Sequence, residues 1–238
     1  MKQGLILLIM TWTMLCAAET LVIAVPVNLE KTAPFVELKT YVAEALAKED
    51  IQIEYVPLSI DRSTFMVEKG ELDGELVRES RVIRRSAKSI MTSFPIAHSD
   101  FIVVHRKQIK NFTEDKLSEY AGVMFYCAVV TRDALSKRNA KVVSVDSLEH
   151  ALKLLENGRA DYTILPEPII DAAKIQYAKD FKNLVVRKNP LDHTDLYFYV
   201  RKNKSYLMPK VEKAFKKASN EPLEKYHYLP EYLNRKIP

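Results

Sequence analysis

Residues 20–27, TLVIAVPV, form an unbroken apolar, β-branched run, the pattern of a strand buried on both faces. In the segment that follows, APFVELKTYVAEALAKED (33–50), Phe35, Leu38, Val42, Ala45 and Leu46 recur at helical spacing. IQIEYVPL (51–58) alternates and reads as a strand. Ser59 or Asp61 can cap the next helix, DRSTFMVEKG, which stops at Gly70. LDGELV (72–77) is a third strand. This β-α-β-α-β order predicts a doubly wound α/β layer.

A second unit repeats the alternation. SDFIVVHRKQ (99–108) and AGVMFYCAVV (121–130) read as strands, with TRDALSKRNA a helix after the second. KVVSV (141–145) is a short strand. DSLEHALKLLENG is a helix with Asp146 at the N-cap, Glu149 three residues on, and Gly158 as its stop. ADYTILPEP (160–168) is a strand running into a Pro-rich turn and another helix, and NLVVRK (183–188) and DLYFYVRKN (195–203) are strands. SYLMPKVEKAFKKASN is an amphipathic helix with Pro209 near its start, and Tyr226, Tyr228 and Tyr232 are expected to pack a final helix onto the first unit.

No glycine-serine tether separates the two units. DFIVVHRK and DLYFYVRK are alike, an acid, an apolar stretch and a basic pair, and they bracket the second unit. The expected fold is therefore two doubly wound α/β lobes joined by two crossing hinge strands. Lobe 1 comprises 19–102 and 197–238, and lobe 2 comprises 103–196.

The first eighteen residues change the picture. MKQGLILLIMTWTMLCAA has a lysine, an uncharged apolar core and then small residues, the three-part pattern of a secretory signal, with cleavage expected after Ala18. The residues before Cys16 do not fit a lipoprotein signal. The mature chain is then a soluble, exported protein with one cysteine, Cys127, which cannot form an internal disulfide and sits in an apolar run as an inert thiol. The apolar fraction of 47% and the charged fraction of 28% fit a globular domain. The net charge of +5 is spread among interleaved acids and excludes a nucleic-acid footprint.

The order of these features resembles the family 3 solute-binding proteins, the type II periplasmic receptors best known for polar amino acids. The likeness covers about 20–220 and rests on three stretches: LVIAVPVN with the later APF, VEKGELDGELVRESRVIRRSAKSIMTSFPIAHSDFIVV, and SLEHALKLLENGRADYTILPEP. They are similar to the family's first strand and Pro-Phe loop, to its Gly-x-x-Asp turn leading to a ligand-binding arginine and a hinge strand, and to its second helix-Gly-x-x-Asp-strand unit. The chain departs from the family at two positions. The Thr-x-x-Arg signature is missing, with Arg84 and Arg85 nearest by spacing, and Pro166 stands where the family often has an aspartate, with Glu167 beside it.

The resemblance implies a ligand cleft at the C-terminal ends of the parallel strands. Phe35 could wall off a ligand there or be the first core residue of its helix. Arg78, just after LDGELV, could grip a carboxylate through its planar fork, or pair with Glu75 or Glu79; Arg81, Arg84 and Arg85 share the candidacy. Thr131, with Arg132 beside it, could receive an anion at a helix start or simply cap it. Glu167 could bind an ammonium group or be a first-turn acid favoured by the helix dipole. The histidines lack metal-ligand spacing and no cofactor or nucleophile motif occurs, so neither metal nor cofactor is expected. The expected protein is a periplasmic monomer that captures a small carboxylate-bearing ligand and is read by a membrane permease or a sensor. The rival readings are an enzyme on the same scaffold, eliminating water and carbon dioxide from a cyclic carboxylic acid with Glu167 as proton carrier, and a stand-alone structural or signalling protein.

Overall fold

The structure is a computed structural model that describes residues 18–80, 87–125 and 129–233. The expected leader, Cys127, and Arg81, Arg84 and Arg85 lie outside the described residues.

β1 (Glu19–Pro26) runs parallel to β2 (Ile51–Leu58) along its whole length and to β3 (Gly74–Glu79) on its other side. Two helices make the crossovers, α1 (Ala33–Ala47) and α2 (Ile60–Lys69). α1 buries Phe35, Leu38, Tyr41, Val42, Ala45 and Leu46, and each large side chain so buried stabilises by about 1.5–3 kcal/mol. α2 ends where Gly70 turns to φ 88°, a left-handed conformation that glycine adopts without steric cost.

The second lobe is built from β6 (Gly122–Met124), β7 (Val142–Ser144) and β8 (Tyr162–Pro166), again parallel. Its helices are α3 (Val129–Lys137), α4 (Leu148–Glu156), α5 (Glu167–Gln176) and the short α6 (Ala178–Phe181). Two sequence expectations need correction here. The run 121–130 is strand only as far as Met124, and Val129 already begins α3, because a helix satisfies its own backbone groups once the chain has left the sheet. The N-cap of α4 is Ser147 rather than Asp146, its side chain accepting the His150 N–H at 3.1 Å.

β4 (Ser89–Met91), β5 (Ala97–Arg106), β9 (Leu184–Val186) and β10 (Asp192–Arg201) complete one sheet of order β2-β1-β3-β10-β5-β8-β6-β7, with β4 paired to β10 and β9 to β5. β5 and β10 pair antiparallel only from Ala97–Leu196 to Phe101–Asp192. Beyond that junction β5 continues into the second lobe beside β8, while β10 continues into the first beside β3. These are the two crossing strands. The lobes also touch through α1 and α5, so one apolar cluster runs from Ile23 and Leu38 through Phe35, Ile169 and Ile170 to Leu152 and Leu155.

After α7 (Met208–Ala218) the chain returns along α1 to the short helix α8 (Leu229–Tyr232). Lys48 pairs with Glu221 at 2.6 Å, Glu44 accepts from the Tyr226 hydroxyl at 2.9 Å, and the Tyr41 and Tyr226 rings meet edge-on at 6.0 Å. Glu37 then accepts the backbone N–H groups of His227, Tyr228 and Leu229 at 2.7–2.9 Å. Among the described residues no helix is long and apolar enough to cross a membrane.

Candidate ligand-binding cleft

Parallel strands aim their C-terminal ends at one edge of each lobe, and in this fold those edges face each other. β1 ends at Pro26, after which Leu29 and Glu30 both donate backbone N–H groups to the Pro26 carbonyl. That tight turn leaves Val27 and Asn28 exposed. β2 ends at Leu58, and Ser59 becomes the N-cap of α2 without using its side chain for the cap. Across the gap stand Met124 and Phe125 from the end of β6, Ser144 and Val145 from the end of β7, and Arg132 from the first turn of α3.

These residues, with Ile60 and Asp61, enclose a cavity of about 250 Å³ between the lobes. Its first-lobe wall includes the polar residues Asn28, Ser59 and Asp61, and its second-lobe wall includes Arg132 and Ser144. Asn28 spans the gap, its Nδ2 donating to the Phe125 carbonyl at 2.8 Å. The lobes are therefore closed on each other. The start of α2 adds the partial positive charge of unsatisfied N–H groups to the first-lobe wall.

The residues singled out from sequence occupy different places. Phe35 is 3% exposed and belongs to the apolar cluster. Thr131 lies inside the first turn of α3, fully buried, its hydroxyl without a hydrogen-bond partner among the described residues. Glu167 is the first residue of α5 and is exposed. None of the three lines this cavity.

Arg78 lies within β3 rather than after it, and its side chain is buried. Its Nε sits 2.7 Å from Glu75 Oε2, and its Nη2 donates to Thr64 Oγ1 at 2.8 Å and to the Ile60 carbonyl at 3.2 Å. Glu75 Oε1 accepts from Ser63 at 2.9 Å and from Thr64 at 3.1 Å. Tyr199 packs beside this pair; burial, reinforced by the Glu75 charge, pushes its phenol far above the ordinary tyrosine value. The guanidinium thus ties β3 to the first residue of α2, and the residues on either side of that tie, Ser59 and Asp61, line the cavity.

Asn28, Ser59, Asp61 and Ser144 were not legible as wall residues, because locally they are a turn residue, a cap, a first-turn acid and a strand end. The advance signal was their position at or just beyond the end of a parallel strand.

Solved structures share this architecture. The chain superposes on the substrate-binding protein of an amino acid ABC transporter with a TM-score of 0.69, 16% identity, and 91% of this chain and 100% of that chain covered. The chain has the type II periplasmic-binding-protein fold. An ancestral arginine-binding protein bound to glutamine shares the fold at a TM-score of 0.68 and 16% identity, over 85% of this chain and 92% of that one. An ancestral amino acid-binding protein, a precursor of cyclohexadienyl dehydratase, shares it at 0.65 and 21% identity, over 85% and 90%. No protein-family model and no curated protein sequence matches the chain.

Proposed function

We propose that the chain is a solute-binding protein that captures a small, polar, amino-acid-like solute bearing a carboxylate, for delivery to an ABC-type membrane permease. The observation that carries the proposal is the cavity walled by both lobes, with Asp61 on one side and Arg132 on the other. An ammonium group complements the first and a carboxylate the second, through the planar fork of the guanidinium. Lobe 1 is taken as 19–102 and 197–238, and lobe 2 as 103–196, closing about the crossing strands. Export to the periplasm, with the leader removed after Ala18, and action as a monomer complete the reading. Arg85 and its neighbours are a second source of a carboxylate grip, and Arg78 holds the Ile60 carbonyl between the wall residues Ser59 and Asp61.

The test is a thermal-shift series with amino acids, the corresponding amines and the corresponding carboxylates. A solute at a hundredfold excess over its Kd stabilises by about 2.7 kcal/mol. In a chain of this size that raises Tm by roughly 5–10 °C. Arg132→Met should abolish the response to carboxylates, and Asp61→Asn the preference for an amino group. The proposal fails if no carboxylate raises Tm; if Arg85→Met and not Arg132→Met removes the shift, the grip belongs to the 81–86 segment. Recovery of the solute unchanged after prolonged incubation separates binding from the dehydratase-like alternative, which draws on the likeness to the dehydratase precursor.

A further inference from the structure

The junction of the two crossing strands carries a cluster that the cleft does not use. In the β5–β10 register His98 lies opposite Asp195, and Asp100 opposite His193. Alternate residues of a strand share a face, so two imidazoles and two carboxylates project together from the ribbon that joins the lobes. His193 is central. Its Nδ1 is hydrogen-bonded to Asp100 Oδ1 on the other strand, its Nε2 lies 3.5 Å from Asp195 Oδ1, and its ring centroid is 6.0 Å from that of His98. The His193 Nε2 and Asp195 Oδ1 atoms are shielded from solvent.

A neutral imidazole has one N–H and one lone pair, so it can donate to only one of two flanking carboxylates and turns a lone pair toward the other. An imidazolium donates to both and places a positive charge between them. Without that proton, the Asp100 and Asp195 carboxylates stand as diagonal neighbours on adjacent hinge strands with no positive charge between them, and like charges at that spacing repel. Other charges surround the ribbon. Asp192 accepts the His193 backbone N–H at 2.8 Å, and Glu79 on β3 lies opposite Leu196 of β10. Of the helices packed on the ribbon, α3, against β10, carries Arg132 and Asp133, and α5, against β5, begins with Glu167.

We propose that this acid–imidazole cluster is a proton-operated latch on the hinge: protonation of His193 joins Asp100 on β5 to Asp195 on β10 and holds the lobes in the closed arrangement. Loss of the proton releases the twist between the strands and favours opening. The inference rests on the reading of the chain as a two-lobed clamp.

Small-angle X-ray scattering of the solute-free protein tests it across about pH 8 to 5.5, the range in which histidines change charge. The expected result is a smaller radius of gyration at the acid end, reversible on return to alkaline pH. In His193→Gln the radius should no longer depend on pH, and His98→Gln should retain the dependence. Asp195→Asn, which keeps the shape of the side chain, should weaken it and carries the test if His193→Gln fails to fold, as judged by circular dichroism. A wild-type radius that does not change with pH, a pH dependence that survives His193→Gln or, in its place, one that is undiminished in Asp195→Asn, overturns the latch. The clamp reading is judged separately, by the thermal-shift response to solute at one fixed pH.

Discussion

Replacing Arg78 with Met separates a structural arginine from a ligand grip. In wild type the guanidinium is held by Glu75, Thr64 and the Ile60 carbonyl, and Glu75 is itself 4% exposed. Methionine retains most of the aliphatic bulk but leaves the Glu75 carboxylate buried beside the hydroxyl donors of Ser63 and Thr64. Removing one partner of a buried ion pair costs about 3–5 kcal/mol, because the remaining charge stays desolvated. For a chain of this length that corresponds to a fall in Tm of roughly 6–20 °C. Urea unfolding of Arg78→Met, Glu75→Gln and the double variant gives the coupling directly. The double variant should recover much of the loss, since neither charge is then stranded. A loss below about 1 kcal/mol, with no coupling to Glu75, would refute the structural assignment. A simultaneous collapse of solute binding would return Arg78 to the cleft.

Two further outcomes follow from the same structure. Glu37→Gln weakens three charge-assisted backbone hydrogen bonds to the C-terminal segment, at about 1.5–3 kcal/mol for bonds to a charged group; hydrogen exchange at 227–229 should accelerate while α4 stays protected, and equal acceleration everywhere would contradict a local anchor. His105 stacks on Phe112 at 4.2 Å, and burial holds its pKa below the ordinary histidine value, with the hydrogen bond to the Arg106 carbonyl opposing. As pH falls the unfolded chain takes up this proton first, near pH 6.5, so the contribution to stability is full above about 6.5 and is lost as pH falls through the lowered folded value. Urea unfolding of wild type and His105→Phe at about pH 7.5 and 5.5 should show wild type losing more stability on acidification; equal losses would exclude His105 as the source.

The elements of this fold were legible because their signals are local. The apolar run at 20–27, the alternation at 51–58 and the helical spacing of Leu38, Val42 and Leu46 each describe one element and its buried face. The likeness of DFIVVHRK and DLYFYVRK marked the crossing strands for the same reason. The cavity walls depend instead on which strand ends face each other, and no local window contains both Asp61 and Arg132. Arg78 was ambiguous because β3 runs two residues further than LDGELV suggests, drawn on by pairing with β10 that shifts register between Tyr197 and Tyr199. That extension carries the guanidinium from the turn into the layer between β3 and α2. The hinge histidine went unremarked because Asp100 is 93 residues away and meets it only through register.

The position of β10 has a consequence for how the molecule comes into being. It lies between β3 and β5, in the middle of the sheet, yet only the last fifth of the chain contains it. A nascent polypeptide that has reached residue 190 holds the two outer groups of strands but has a gap at their centre, with the β3 and β5 edges both unsatisfied. The sheet closes only when synthesis is nearly finished, so cotranslational folding is delayed by topology. A chain stopped before Asp192 loses the seam of the molecule, whereas one stopped after Arg201 keeps every strand and forfeits only α7 and the segment clasped along α1.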